Sequence, residues 1–350
     1  MLSTAAPLSE RTPQVSVDDL LAGLKPSFRF SEVSFDSYIP DPGHPSQAEA
    51  VEALRSFSAT VGRKRAGGGF LSRLFGGGQE AAGASGIYLD GGFGVGKTHL
   101  LASLYHSVEG KRAFGTFVEY TNLVGALTFR KTVEVLSDYS LVCIDEFELD
   151  DAGDTTLMSR LLRELSDAGV KLAATSNTLP GSLGEGRFAA SDFKREIQVL
   201  ADQFKVIRVD GEDYRHRGLP EAPPPLSTDQ LEDFAAERFS GKEVVVDDFG
   251  ALTEHLSQVH PSRYRQMIAG VDVLVLKDVE TIEAQSLALR FVVLADRLYD
   301  QDVAIIASGE SFDRLFTEEM MSGGYMKKYH RAVSRLTALA RSGQMGEKAL

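Results

Sequence analysis

The segment GGFGVGKTHLLASLYH, residues 91–106, sets four glycines and a lysine directly ahead of an apolar run with helical spacing. Glycine weakens helix and strand interiors by roughly 0.5–1 kcal/mol relative to alanine. Four of them in six positions mark a place that needs bare backbone. IYLDG (87–91) reads as a strand before the segment, and THLLASLYHSV (98–108) as a helix within it. Gly91 to Thr98 fits G-x-x-x-x-G-K-[ST], and the strand–loop–helix setting is the one that motif requires.

The chemistry that wants this pattern is phosphate binding. Side chains would block a wrap of N–H groups around a phosphate, and the following helix adds its positive end. The expected nucleotide-binding set is Gly91, Gly92, Phe93, Gly94, Val95, Gly96, Lys97, Thr98 and His99. Lys97 would reach the β- and γ-phosphates, and the Thr98 hydroxyl would hold Mg²⁺.

Asp145 and Glu146 follow the apolar run LVCI. At a strand end opposite the loop, Asp145 would sit in the Mg²⁺ shell and Glu146 would polarise the attacking water. The second acid favours hydrolysis over binding alone, because phosphoryl transfer needs its water positioned. Asn177 ends the next strand and would contact the γ-phosphate or the same water; the alternative is a turn residue ahead of Pro180. Charge spreading over the γ-phosphate oxygens calls for arginines. Arg187 or Arg195 would reach a neighbouring subunit's site, and Arg331 or Arg335 would close over the nucleotide. Phe35 and Tyr38 would stack on adenine or pack in the core.

Strands alternate with helices along the chain: 87–91, 114–120, 140–146, 171–177 and 203–209, with helices at 47–61, 98–108, up to about 136, and 154–169. That alternation predicts an α/β fold, a parallel sheet flanked by helices. Residues 1–25 read as a polar leader, 26–216 as a P-loop ATPase core with a glycine-rich insertion at 63–86, 217–230 as a proline-rich linker, and 231–350 as a C-terminal α/β domain. In that domain VDVLVLKDV (271–279), SLALRFVVLADRLYD (286–300) and DVAIIASG (302–309) share the layout of 140–177. Lys277 falls where Asp145 stands and Gly309 where Asn177 stands. The expectation is a degenerate, non-catalytic copy of the strand–helix–strand unit; a chance likeness of two βαβ units is the alternative.

The 350 residues carry a net charge of −13. This balance argues against a protein that coats nucleic acid. One cysteine, Cys143, in an apolar run excludes an intrachain disulfide and reads as an inert core thiol. The N-terminus MLSTAAPLSERTPQ has no basic start followed by an apolar stretch, so it reads as neither secretory signal nor transit peptide. No apolar run approaches the roughly 20 residues of a membrane span. A cytoplasmic location follows as the expectation.

With these residues in place, IDEFELDDAGDTTLMSRLLRELSDAGVKLAATSNTLP (144–180) resembles the ATPase family of the bacterial cell-division protein ZapE and its mitochondrial relatives, within the AAA+ superfamily. VDGEDYRHRG (209–218), RFVVLADRLYDQDV (290–303) and HRAVSRL (330–336) resemble further motifs of that family. The resemblance implies Mg²⁺-dependent ATP hydrolysis. In the bacterial branch it implies destabilisation of FtsZ filaments at the division site, and in mitochondria protein quality control. By position it assigns Lys97 and Thr98 to the phosphate loop, Asp145 and Glu146 to the acidic pair, and Asn177 to the sensor. Between Asn177 and Ile197 the family pattern is absent, so the finger stays open between Arg187 and Arg195. No aromatic-hydrophobic-glycine loop of the threading kind follows the 114–120 strand. A trans arginine would make the protein a nucleotide-dependent homo-oligomer. The competing expectations are a helicase-loader-like ATPase and a scaffold that binds ATP without turnover.

Overall fold

The structure, a computed structural model, describes residues 4–62, 86–92, 94–148, 152–183, 194–212 and 222–345. In chain order the elements are β1 (Thr4–Ala5), α1 (Val17–Ala22), α2 (Pro45–Ser58), β2 (Gly86–Asp90), α3 (Lys97–Ser107), β3 (Arg112–Thr116), α4 (Phe117–Leu127) and α5 (Phe129–Leu136). They continue with β4 (Leu141–Asp145), α6 (Ala152–Asp167), β5 (Lys171–Ser176), α7 (Lys194–Ala201), β6 (Phe204–Arg208), α8 (Leu231–Arg238), β7 (Val244–Asp248) and α9 (Phe249–Gln258). The last are α10 (Tyr264–Met267), β8 (Val273–Val279), α11 (Gln285–Asp300), β9 (Ala304–Gly309), α12 (Glu318–Ser322) and α13 (Met326–Met345). The motif DYR of 209–218, most of the glycine-rich insertion and part of the proline-rich linker lie outside the described residues.

The chain divides into two compact units. The first, Ser16–Pro26 with Phe30–Arg217, holds a five-stranded parallel sheet in the order β3-β4-β5-β2-β6. Successive strand residues face opposite layers. Val142 and Ile144 pack with Phe117, Tyr120 and Leu161, whereas Leu141 and Cys143 pack with Leu54, Leu100 and Leu104. Burial on both faces is why these strands read as continuous apolar runs rather than alternating ones. Cys143 is fully buried, and that burial pushes its thiol well above the ordinary range, as expected of a core residue.

One expected strand is half a strand. The β-branched and aromatic run 114–120 stops being extended at Thr116. There the hydroxyl accepts the Glu119 amide, and the Glu119 carboxylate accepts the Thr116 amide in return. This capping box starts α4 at once. The chain therefore passes from β3 into a helix with no intervening loop.

The second unit, Met1–Val15, Ser27–Arg29 and Gly218–Leu350, holds a four-stranded parallel sheet in the order β1-β7-β8-β9. Phe249, Phe291 and Leu336, from α9, α11 and α13, pack in one core with Leu274 of β8. Leu231 and Ala235 of α8 pack with Val273 and Val275 in another. The stretch expected as a leader at 1–25 is instead shared between the units. Thr4 and Ala5 pair with Val244 and Val245, and Leu8 is fully buried in the second unit, while α1 belongs to the first. Too short to show periodicity, β1 acquires its partner only in the fold. Strand β7 adds to the expected strands, and VVV at 244–246 carries the β-branched chemistry that suits it. Among the described residues, no helix is long and apolar enough to cross a membrane.

Candidate active site

Strand β2 sits between β5 and β6, inside its sheet, and the connection from β2 to β3 crosses over β5 and β4. Ligands of open α/β sheets bind in the crevice outside the carboxyl ends of the strands, where the strand order reverses. The glycines of the loop each answer a separate steric demand. A Cβ at Gly91 would stand 2.1 Å from the Val209 carbonyl oxygen. Gly94 and Gly96 have φ of 68° and 84°, the left-handed region. Gly96 is the N-cap of α3 and offers no side chain to its first-turn N–H groups. Those donors are therefore left for an anion.

Tyr38 braces this loop from outside. Its hydroxyl donates to the Val95 carbonyl at 2.8 Å, and its ring lies 2.5 Å from where a Gly96 Cβ would be. His99 meets the Tyr38 ring edge-on, with Nε2 2.9 Å from Ser37 Oγ and 3.2 Å from the Ser34 carbonyl. Burial lowers the His99 pKa and so favours the neutral ring. Phe35 is buried in the core with the Arg55 guanidinium over its ring. Of the two aromatic candidates, Phe35 packs in the core and Tyr38 stands on the loop.

Lys97 is buried, and its Nζ donates to the Gly91 carbonyl at 2.9 Å, to the Gly92 carbonyl, and to Asn177 Oδ1 at 2.8 Å. Thr98 Oγ1 lies 3.1 Å from both carboxylate oxygens of Asp145. Thr175 Oγ1 donates to Asp145 Oδ1 at 2.5 Å and accepts the Glu146 amide at 3.1 Å. Glu146 itself has φ of 52°, a conformation that non-glycine residues adopt rarely and at a cost. The strand ends at Asp145, and this left-handed residue makes the corner that follows it. Thr175 was not singled out from sequence; its signal was the hydroxyl within TSN, on the strand beside the acids.

Loop, lysine, threonine, both acids and Asn177 are thus brought to the ends of neighbouring strands. Phe93 and Arg187 lie outside the described residues. Arg195 is exposed near the start of α7. Arg331 and Arg335 belong to the second unit, where both guanidinium groups bond the Asp296 carboxylate. Burial works to raise the Asp296 pKa, but the two cations outweigh it and hold the carboxyl below its ordinary value.

The donor set fits a hard divalent cation. The Thr98 hydroxyl and one carboxylate, Asp145, converge, and the described residues contain no cluster of three His, Cys, Asp or Glu that could cage a metal alone. Mg²⁺ is held in this way, by one or two carboxylates with substrate phosphates and water completing the shell.

A family model described as AFG1-like ATPase matches residues 15–240 and 229–347. The cell division protein ZapE of Escherichia coli K12 is 26% identical over 309 residues, covering 71% of this chain and 80% of that protein. Lactation elevated protein 1 homolog B of Danio rerio is 24% identical over 295 residues, covering 68% of this chain and 58% of its own. Among solved structures, domain III of the Thermotoga maritima replication initiation protein DnaA is similar at a TM-score of 0.38 and 15% identity, covering 90% of each chain. With the glycine loop, the acidic strand end and Asn177 meeting at the ends of neighbouring strands of a parallel sheet, and the family model running along nearly the whole length, this chain belongs to the AFG1-like ATPases.

Proposed function

We propose that the protein hydrolyses Mg²⁺-ATP to remodel a protein partner, FtsZ filaments, working in the cytoplasm at the division site as a nucleotide-dependent homo-oligomer. The observation that supports hydrolysis most directly is the contact of Thr98 with Asp145 beside the strained corner at Glu146. The Thr98 hydroxyl and the Asp145 carboxylate would hold Mg²⁺, which would supply charge neutralisation at the phosphates. Lys97 would exchange its carbonyl partners for phosphate oxygens while keeping Asn177 within reach. The Glu146 carboxylate, on a residue of left-handed backbone just past the strand, would accept a proton from water and orient it in line. Arg187 or Arg195 would supply the cation from a neighbouring subunit. The partner reading rests on the likeness to ZapE, whose name places that protein in cell division. The direct β3-to-α4 passage leaves no loop for threading, which favours remodelling at a filament surface over translocation.

The test is ATP turnover by the purified chain with Mg²⁺ and with chelator, then with FtsZ filaments or single-stranded DNA added. Stimulation by filaments alone supports the reading. Turnover without Mg²⁺ dependence, or stimulation by DNA alone, overturns it.

A further inference from the structure

Strands β7, β8 and β9 lie side by side as β3, β4 and β5 do. Adjacent parallel strands joined by helices are common, so that order alone decides nothing. The details agree further. Arg112 pairs with Leu141 and Val244 with Val273, 29 positions apart in both sheets. The residue ending each first strand, Thr116 or Asp248, is an N-cap whose side chain accepts the amide three residues on. Each next residue, Phe117 or Phe249, is buried and begins a helix at once.

The middle strands end alike. Glu146 and Asp278 are two of the four non-glycine residues at positive φ among those described, at 52° and 54°. Each amide donates to a hydroxyl of the neighbouring strand: Glu146 to Thr175 at 3.1 Å, Asp278 to Ser308 at 2.9 Å. Helices α6 and α11 both have 16 residues. Each is followed by a left-handed residue, Gly169 or Asp302, and then by a buried valine, Val170 or Val303, whose amide reaches back 3.0 Å to a leucine carbonyl. No general rule of βαβ units demands a strained corner, a hydroxyl beneath it and a matched helix exit in the same order.

We infer that residues 244–316 are a second copy of residues 112–183, in which the corner that presents the catalytic acids is kept while its chemistry is removed and its space filled by the chain itself. Lys277 occupies the place of Asp145 and donates to Glu232 Oε1 at 2.5 Å. Thr228 Oγ1 donates to Asp278 Oδ1 at 2.7 Å and lies 3.0 Å from Ser308 Oγ. Where β5 is flanked by the phosphate-loop strand, β9 ends its sheet. The Ala307 carbonyl takes the Leu226 amide, and a Cβ on Gly343 of α13 would stand 2.0 Å from the Ile305 carbonyl oxygen. The pattern G-x-x-x-x-G-K-[ST] does not recur in the sequence. Val273 pairs with Ala304, 31 positions on, where Leu141 pairs with Lys171, 30 positions on; the second copy thus has one residue more between its strands, and the counterpart of Asn177 is Glu310 rather than Gly309. The chain therefore carries one nucleotide site and one self-occupied copy of half of it. The stoichiometry part of this inference rests on the ATP reading above; the repeat does not.

Two measurements on the full chain test it. Hydrogen exchange should show slow amides at Glu146 and Asp278. Thr175→Val should speed exchange at the Glu146 amide by more than tenfold, and Ser308→Ala should do the same at Asp278, whereas Thr175→Ser and Ser308→Thr should preserve both. An Asp278 amide indifferent to Ser308→Ala overturns the repeat. Calorimetric titration with a non-hydrolysable ATP analogue and Mg²⁺ should give one nucleotide per chain, none in Lys97→Ala, and one in Ser308→Ala. A second nucleotide bound per wild-type chain overturns the self-occupied copy. A wild-type chain that binds nothing defeats the ATP reading instead, while the exchange data still judge the repeat.

Discussion

The Thr98 hydroxyl lies 3.1 Å from both oxygens of the Asp145 carboxylate, across 47 positions of sequence. This single approach joins the phosphate loop to the acidic strand end, and it sets the pocket in which a cation and a triphosphate would meet. Its consequences are measurable.

Lys97 supplies the one cation buried at the base of the loop among the described residues. Lys97→Ala should weaken nucleotide binding by on the order of 100-fold or more, the scale of two charge-assisted hydrogen bonds. Calorimetric titration checks it; binding within threefold of wild type would show that the ammonium does not meet the phosphates.

Glu146→Gln keeps the shape of the corner and removes the base. Nucleotide affinity should stay within a few-fold, and single-turnover hydrolysis should slow by on the order of 10²–10⁴-fold. A wild-type rate would reassign the water-orienting group.

Gly91→Ala tests the steric reading of the loop. The added methyl would stand 2.1 Å from the Val209 carbonyl oxygen, so β2 and β6 would have to separate. A loss of about 2–4 kcal/mol is expected by chemical denaturation. An unchanged denaturation midpoint would mean that the strands part freely at that point.

Thr128 joins α4 to α5 at φ 74° and ψ 153°, a region that belongs to glycine. Thr128→Gly should raise stability by about 1 kcal/mol, read as a higher melting temperature. A lower one would show that its side-chain contacts outweigh the strain.

Asp296, at 16% side-chain exposure, carries Arg331 and Arg335 on its two oxygens. Because its folded pKa is depressed, its contribution is present above the unfolded carboxylate value, about 3.9, and is lost as pH falls through the lower folded value. Asp296→Asn should cost about 2–3 kcal/mol at pH 7, less than a fully buried pair, and should flatten the acid side of the stability profile. If the variant keeps the wild-type pH dependence below about pH 4, the guanidinium pairing does not act on this carboxyl.

The loop from Gly91 to Thr98, the acids at 145 and 146 and Asn177 were legible in the primary structure because each depends on local chemistry. Glycines permit a backbone wrap, an apolar run makes a buried strand, and a polar residue after it marks the strand's end. The parallel α/β class followed from the same alternation. What the linear order concealed depends on partners far away. FVEY had strand chemistry, yet Glu119 closing on Thr116 made it a helix. Thr4 and Ala5 form a strand only because Val244 and Val245 lie beside them. Thr175 became part of the acidic corner, and Tyr38 part of the loop, through hydrogen bonds spanning 30 and 57 positions. The second copy was visible as a shared layout, but Asp278 over Ser308 and the extra residue that brings Glu310 to the place of Asn177 appear only when the strands are in register. Local propensity and periodicity fix which segments become strands and helices. Hydrogen-bond satisfaction and packing between distant segments then decide how they end, and the ends of the strands are where the candidate site lies.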